Sequence, residues 1–174
     1  MKYFVMAHLW GWLVCSSCLG NVHQDIDNTV VKHLDLQRYM GKWYEIARYN
    51  HWFEEGMSHV TAEYSMRPDG KIRVVNKSVK YGKPREIIGK ARQPYPNEYP
   101  GWLEVSFFLW FYSDYYIMEL GQDYQYVVIG SSTDKYLWIL SRTPQLPDET
   151  LQGILSRLKQ RGYNLSELIF VEQN

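Results

Sequence analysis

Few residues of this chain have the types and spacing that covalent chemistry requires. Both cysteines, Cys15 and Cys18, lie near the N-terminus, so the body of the chain contains no thiol nucleophile, no thiolate metal site and no internal disulfide. Its histidines, serines and carboxylates form no Ser-His-Asp set, no His-x-x-x-His motif and no pair of carboxylates at a convincing spacing. The sequence therefore predicts a protein that is not an enzyme and that has no metal site and no cofactor.

The N-terminal segment has the layout of an exported protein. Lys2 is followed by an apolar run over residues 3–14, which is too short to span a bilayer, and then by small residues. A positive start, a short apolar stretch and small residues, in that order, are typical of a secretory signal peptide. We therefore predict that residues 1–17 are a signal peptide.

Cys18 is the predicted site of a lipid anchor. It follows the small residues Ser16 and Ser17, as the acylated cysteine does in a bacterial lipoprotein cleavage site. Acylation would hold the protein at a membrane, with residues 18–33 as a polar tether. Two alternatives stay open, which are a soluble secreted or periplasmic protein and a redox pair formed by Cys15 and Cys18.

The composition excludes some partners and favours a β-sheet fold. Nineteen Lys and Arg residues balance 19 Asp and Glu residues, whereas a general nucleic-acid binder needs a basic surplus. Apolar residues make up 45% of the chain, which is enough for a full core. The 15 tyrosines, mixed with valine and isoleucine, fit strands better than helices.

After residue 34, short apolar alternations recur between turn signals such as Pro68-Asp69-Gly70. The predicted strands lie near 42–50, 58–66, 71–80, 86–92, 102–110, 114–121, 124–132 and 136–142. Because short turns join them, successive strands must be antiparallel neighbours. We predict an all-β domain over 34–174, in which the eight strands close into an up-and-down barrel.

One helix is predicted after the eighth strand. Asp148 and Glu149 place negative charge in its first turn, and Gly162 ends it. Its apolar residues recur at helical spacing and form a single stripe, which we expect to pack on the outer wall of the barrel. A short strand near 168–171 then follows.

The inward faces of the strands define the candidate binding residues. Asn76 lies on an otherwise apolar inner face, and small residues such as Ala62 leave space beside it, which suits a cavity for a ligand. A barrel filled by its own side chains is the alternative. The residues predicted to line the cavity are Ala47, Phe53, Ala62, Tyr64, Val74, Asn76, Phe107, Tyr116, Met118 and Trp138.

Two motifs at the ends of the barrel resemble the signatures of the lipocalin family. Gly41 and Trp43 open the first strand as a Gly-x-Trp triplet, and Arg142 ends the eighth strand. With the late helix, the resemblance covers residues 34–174. Within the family it is strongest to the bacterial outer-membrane lipoprotein lipocalins, through residues 43–48 and 136–144. We expect Arg142 to lie over the indole of Trp43 and close one end of the barrel as a structural floor, which contributes about 0.5–2 kcal/mol.

The resemblance implies a protein that binds a small apolar ligand. For the bacterial lipoprotein branch it implies a fatty acid or a lysophospholipid as the ligand and an anchor in the outer membrane, facing the periplasm. A haem or tetrapyrrole carrier with His51 at the barrel mouth is an alternative, as is an isomerase that uses Glu45, His59 or Asp123. We expect no nucleic-acid partner, and a homodimer stays open.

Overall fold

A computed structural model describes residues 26–173 of the chain. The predicted signal peptide, the predicted anchor Cys18 and the first part of the predicted tether lie outside the described residues. None of the helices between residues 26 and 173 combines the length and the apolar composition that a bilayer span requires.

The sheet closes on itself, as the sequence predicts. The strands that form the barrel are β1 (Gly41–Tyr49), β2 (Met57–Met66), β3 (Ile72–Lys80), β4 (Lys83–Arg92), β5 (Trp102–Phe108), β6 (Phe111–Leu120), β7 (Tyr126–Gly130) and β8 (Leu137–Ser141). Each pairs with the next in antiparallel fashion, and β1 pairs with both β2 and β8. The prediction of an eight-stranded antiparallel up-and-down barrel is confirmed.

A ninth strand, β9 (Leu168–Phe170), extends the sheet beside β1. β1 pairs with β2 only through residues 41–44, so its second half has a free edge, which β9 covers. The side-chain amide of Gln173 then donates to the backbone oxygens of Glu45 and Val60, at 2.7 and 2.8 Å, and joins β1 to β2 beyond their paired region.

Two α-helices accompany the barrel in the described part of the chain. The short α1 (Leu36–Tyr39) precedes β1, and the side chain of Asp35 caps it by accepting from the backbone of Gln37. The longer α2 (Asp148–Gln160) is the predicted helix, and its apolar stripe packs on the outer wall of the barrel, as expected.

The described residues form two apolar clusters, one on each side of the sheet. The inner cluster lies inside the barrel around Trp43, Tyr39 and Ile117. The outer cluster lies between the barrel wall and α2 around Ile154, Leu158 and residues of β1 and β6–β8. Which cluster a strand residue joins therefore decides whether it is able to reach a ligand inside the barrel.

The two ends of the barrel differ. Residues 35–43 and Arg142 cover one end, here called the closed end. The other, the open end, carries the loop 50–56 and the β3–β4, β5–β6 and β7–β8 connections. Near the open end β4 and β5 diverge, because they pair only through residues 90–92 and 104–106.

The described part of the predicted tether packs against the barrel. The backbone N–H of Val31 donates to the oxygen of Ile117, and that of Asp27 donates to the oxygen of Arg161, both at 2.8 Å. The side-chain amide of Asn28 donates to the oxygen of Ser131. Residues 26–33 therefore belong to the folded domain, and the domain begins earlier than the predicted boundary at residue 34.

Candidate ligand cavity

The barrel encloses a cavity of about 640 Å³ that opens at the end carrying the loop 50–56. That volume lies within the range of sites for small organic molecules. The lining residues are Glu45, Phe53, Glu54, Ala62, Tyr64, Val74, Asn76, Val105, Phe107, Phe108, Phe111, Tyr112, Ser113, Asp114, Tyr115, Ile129, Ser131, Ser132, Thr133, Tyr136, Trp138 and Leu140. The barrel is therefore hollow, and its own side chains do not fill it.

Most of the predicted binding residues lie on this wall. The structure places on it Phe53, Ala62, Tyr64, Val74, Asn76, Phe107 and Trp138. Three others, Ala47, Tyr116 and Met118, lie outside the barrel, in the outer cluster or packed against it. Their predicted position inside the cavity is wrong.

A bulge in β1 moves Ala47 to the outer face. The pairing of β1 with β8 shifts its register between Glu45 and Ala47, so strict alternation breaks there. Glu45 keeps the inward side of Trp43, whereas Ala47 turns toward α2. The bulge also brings Arg48, the next residue of β1, to hydrogen-bonding distance of Glu45.

The alternation of β6 is opposite to the predicted one. Tyr116 lies opposite Trp102 of β5, and the centroids of the two rings are 5.3 Å apart. Met118 accepts a hydrogen bond on its sulfur from the hydroxyl of Tyr163, at 3.1 Å, beneath the segment that follows α2. Tyr115 takes the place on the cavity wall. Strict alternation gives no signal for this exchange, because Asp114 and Tyr115 have opposite parity and both line the cavity.

A charged cluster borders the cavity near its mouth. One guanidinium nitrogen of Arg48 donates to a carboxylate oxygen of Glu45 at 2.7 Å, and another donates to the backbone oxygen of Glu54 at 2.8 Å. The indole N–H of Trp138 donates to the Glu54 carboxylate at 3.2 Å. The ring of His51 contacts that of Trp138 at a tilt of 41°, with ring centroids 4.7 Å apart. We call Glu45, Arg48, His51, Glu54 and Trp138 the mouth cluster.

Burial dominates the protonation of the mouth cluster. It raises the pKa of Glu45, and the nearby Glu54 carboxylate adds to that rise, although Arg48 opposes it. Burial likewise raises the pKa of Glu54. Burial, with the positive charge of Arg48, lowers the pKa of His51 to about 4, so this imidazole is neutral near pH 7. The Arg48 guanidinium is thus the one cation of this cluster, and it lies beside Glu45 and Glu54, whose raised pKa values favour their protonated forms.

Among the described residues, four buried polar atoms lack a hydrogen-bond partner. Nε of Arg48, Nε2 of His51 and Oδ1 of Asn76 lie at or near the cavity wall, whereas the indole nitrogen of Trp102 lies on the outer face beside Tyr116. Buried groups of this kind normally have a partner. Asn76 is the predicted polar residue of the inner wall, and its amide oxygen is available to accept a hydrogen bond from a ligand or a water.

Three tyrosine hydroxyls meet below the cavity. The hydroxyl of Tyr115 lies 2.6 Å from that of Tyr39 and 2.8 Å from that of Tyr64. Burial holds the pKa of Tyr64 at about 12 and raises those of the other two, so all three stay protonated. The two contacts use two of the three hydroxyl hydrogens, so one hydrogen is left to donate elsewhere. Tyr64 and Tyr115 also line the cavity. The deep end of the cavity is therefore able to donate a hydrogen bond.

The two signature residues meet at the closed end. The guanidinium carbon of Arg142 lies 3.7 Å from the ring centre of Trp43. Its nitrogens donate to the backbone oxygens of Arg38 at 2.7 Å and Lys42 at 3.0 Å. Gly41 has a φ of +93°, a conformation that favours glycine.

The residues weighed for other chemistries are not assembled. Glu45 lies on the wall, but His59 and Asp123 do not line the cavity, and Asp123 pairs with Arg38 near the closed end. His51 does not line it either, and its ring stacks on Phe53 and lies tilted against Trp138. Within residues 26–173, no three His, Cys, Asp or Glu side chains are grouped as a metal site requires.

Comparison with known sequences identifies relatives over most of the chain. The sequence model of the lipocalin-like domain matches residues 34–173. The outer membrane lipoprotein Blc of Citrobacter freundii is 43% identical over 148 residues, which are 83% of this chain and 82% of that protein. Temperature-induced lipocalin-1 of Arabidopsis thaliana is 37% identical over 147 residues, which cover 80% of this chain and 79% of that one.

Solved structures share the fold at lower identity. Insecticyanin from the tobacco hornworm Manduca sexta superposes with a TM-score of 0.67 at 23% identity, covering 83% of each chain. Apocrustacyanin C2 gives a TM-score of 0.66 at 19% identity and covers 80% of each chain. These similarities support the barrel architecture.

Proposed function

Because the chain belongs to the lipocalin family, we propose that its cavity binds a single-chain lipid, either a fatty acid or a lysophospholipid, for storage or transport. The observation that carries this proposal is the hollow barrel, with about 640 Å³ of space lined largely by aromatic and aliphatic side chains. Burial of each methylene of an acyl chain there would contribute about 0.8 kcal/mol. We propose that the acyl chain contacts Tyr115, Leu140 and those predicted binding residues that lie on the cavity wall.

The charges of the wall favour a lysophospholipid over a fatty acid. The lining residues include the acids Glu45, Glu54 and Asp114 but no lysine or arginine. Arg48 does not line the cavity and is already bonded to Glu45 and to the backbone of Glu54, so a fatty-acid carboxylate at this mouth would meet acids without a lining cation. The ammonium of a choline or ethanolamine head group would instead lie beside acidic side chains, whose ionised form it would favour, and beside aromatic rings such as that of Trp138, which attract cations.

We also propose the outer membrane as the site of action. The Blc relatives are outer membrane lipoproteins by name, and Cys18 follows small residues after a predicted signal peptide. The lipid anchor would hold the barrel at the membrane that supplies or receives the ligand. Metabolic labelling with a fatty acid tests the anchor, and labelling that persists in a Cys18→Ala variant would refute it.

Displacement of a fluorescent fatty acid from the delipidated protein tests the binding proposal. We expect the probe to bind at micromolar or lower concentration, and lysophosphatidylcholine to displace it at lower concentration than palmitate does. Ala62→Trp, which puts bulk into the cavity, should abolish binding. Glu63→Trp places the same side chain on the exposed face of the same strand and should leave binding intact. No probe binding to the folded wild type would refute the proposal.

A further inference from the structure

Two neighbouring turns at the open end expose large apolar and basic side chains. The first is the β5–β6 turn, where Phe108, Leu109, Trp110 and Phe111 are 67, 53, 71 and 63% exposed. The second is the β3–β4 turn, with Tyr81 exposed between Lys80 and Lys83. Exposed apolar groups in this density mark a surface that contacts something else.

The backbone holds these side chains outward at a cost. Leu109 has a φ of +51° and Tyr81 a φ of +49°, in the left-handed region that tight turns normally fill with glycine or asparagine. The two residues lie at the tips of their hairpins, where small polar residues would be more stable. Burial does not offset the backbone strain at Leu109 or Tyr81, because both side chains are exposed.

The β3–β4 turn is also basic. Lys80 and Lys83 lie directly opposite each other across the hairpin, an arrangement that destabilises an isolated sheet. Arg85 adds a third cation, and residues 79–85 contain no acid. A surface with negative charge would relieve this repulsion.

We propose that the β3–β4 and β5–β6 turns dock the open end of the barrel onto a bilayer that contains anionic phospholipid. Tryptophan, phenylalanine and leucine favour the boundary between head groups and acyl chains, and clustered lysines favour anionic head groups. Phe108 and Phe111 belong both to the exposed tip and to the cavity wall, so the docked tip continues into the cavity. The contact is separate from the proposed anchor at Cys18 and does not depend on what the cavity binds.

The test places a reporter at each end of the same chain. Cys15 and Cys18 are replaced by serine, and a single cysteine at Leu109→Cys or at Gln122→Cys is labelled with the fluorophore NBD. Leu109 is at the open-end tip, whereas Gln122 is exposed near the closed end. The labelled full chains are mixed with vesicles of phosphatidylcholine, with or without phosphatidylglycerol, that carry nitroxide-labelled lipid in the acyl region.

We expect quenching at position 109 but not at position 122, and only when phosphatidylglycerol is present. On the Leu109→Cys chain, the triple substitution K80Q, K83Q and R85Q should weaken vesicle binding at least about tenfold, because each cation near an anionic surface contributes about 1 kcal/mol. Trp110→Ser should weaken it as well. Circular dichroism verifies that each variant is folded.

Other outcomes would overturn the proposal. Equal quenching at both positions would mean that both ends of the barrel contact the bilayer, so that the open-end turns are not a specific docking surface. No quenching at position 109 would mean that the turns stay in water. A blue shift of that label without vesicles, together with a doubled mass in light scattering, would mean that a second copy of the chain covers the tips. Probe binding in the cavity is measured separately, so neither result decides the other.

Discussion

The closed and open ends of the barrel use similar residues in opposite ways. At the closed end Trp43 is fully buried, its indole donates to the oxygen of Tyr39 at 2.9 Å, and Arg142 covers its ring. At the open end Trp110 is exposed, and the mouth cluster contains buried atoms of Arg48 and His51 without partners. The closed end is built for stability, whereas the open end gives up stability to present groups to a ligand or a surface.

Truncation at the closed end should have the largest effect on stability. Trp43→Ala should lower the free energy of unfolding by about 3–5 kcal/mol, because it leaves a cavity and removes the ring beneath Arg142. Urea denaturation measures the change. The matched Trp110→Ser at the open end should change the stability by less than about 0.5 kcal/mol. Equal losses from the two substitutions would contradict the division between the ends.

The mouth cluster should make stability depend on pH. Glu45 has a raised pKa in the folded protein, so above its ordinary value of 4.5 the folded state keeps a proton that the unfolded chain loses. Stability then falls as the pH rises, by up to about 1.4 kcal/mol per pH unit. Glu54 acts in the same direction.

His51 acts in the opposite direction and in a lower range. Its pKa of about 4 lies below its ordinary value of 6.5, so stability rises with pH between these two values. The effect of the carboxyls is therefore clearest above pH 6.5. Chemical denaturation between pH 6.5 and 8 should show a falling stability in the wild type and a smaller fall in Glu45→Gln. Identical slopes would show that Glu45 does not hold the proton.

The smallest effect concerns the turn at the open end. Leu109→Gly should stabilise the protein by about 0.5–1 kcal/mol, since glycine adopts a positive φ without strain. The same variant should bind anionic vesicles more weakly than the wild type. Thermal unfolding and vesicle flotation measure the two quantities. A loss of stability would mean that Leu109 packs in a way that supports the fold.

Much of the fold is predictable because it follows from local patterns. The eight strands and α2 follow from alternation, turn residues and helical spacing, and the structure has them near the predicted positions. The sequence predicts that Trp43 and Arg142 meet at one end of the barrel, because each lies at the terminus of a strand. None of these inferences required the exact register of two strands.

The cavity wall is less predictable because it depends on register. A single bulge in β1 turns Ala47 outward. In β6 the inward residue is Tyr115 and not the predicted Tyr116. When a strand has apolar residues on both faces, a bulge leaves the hydrophobic pattern unchanged, so the sequence does not reveal it. Arg48 pairs with both Glu45 and Glu54, and period-two alternation does not predict these contacts.

The dependence of affinity on acyl length tests most directly whether the barrel holds an enclosed apolar site. Calorimetry of delipidated protein with lysophosphatidylcholines of increasing chain length should show affinity rising by up to about fourfold per methylene, until the cavity is full and the affinity levels off. An affinity that does not change with chain length would contradict the account, because the chain would then lie outside the barrel.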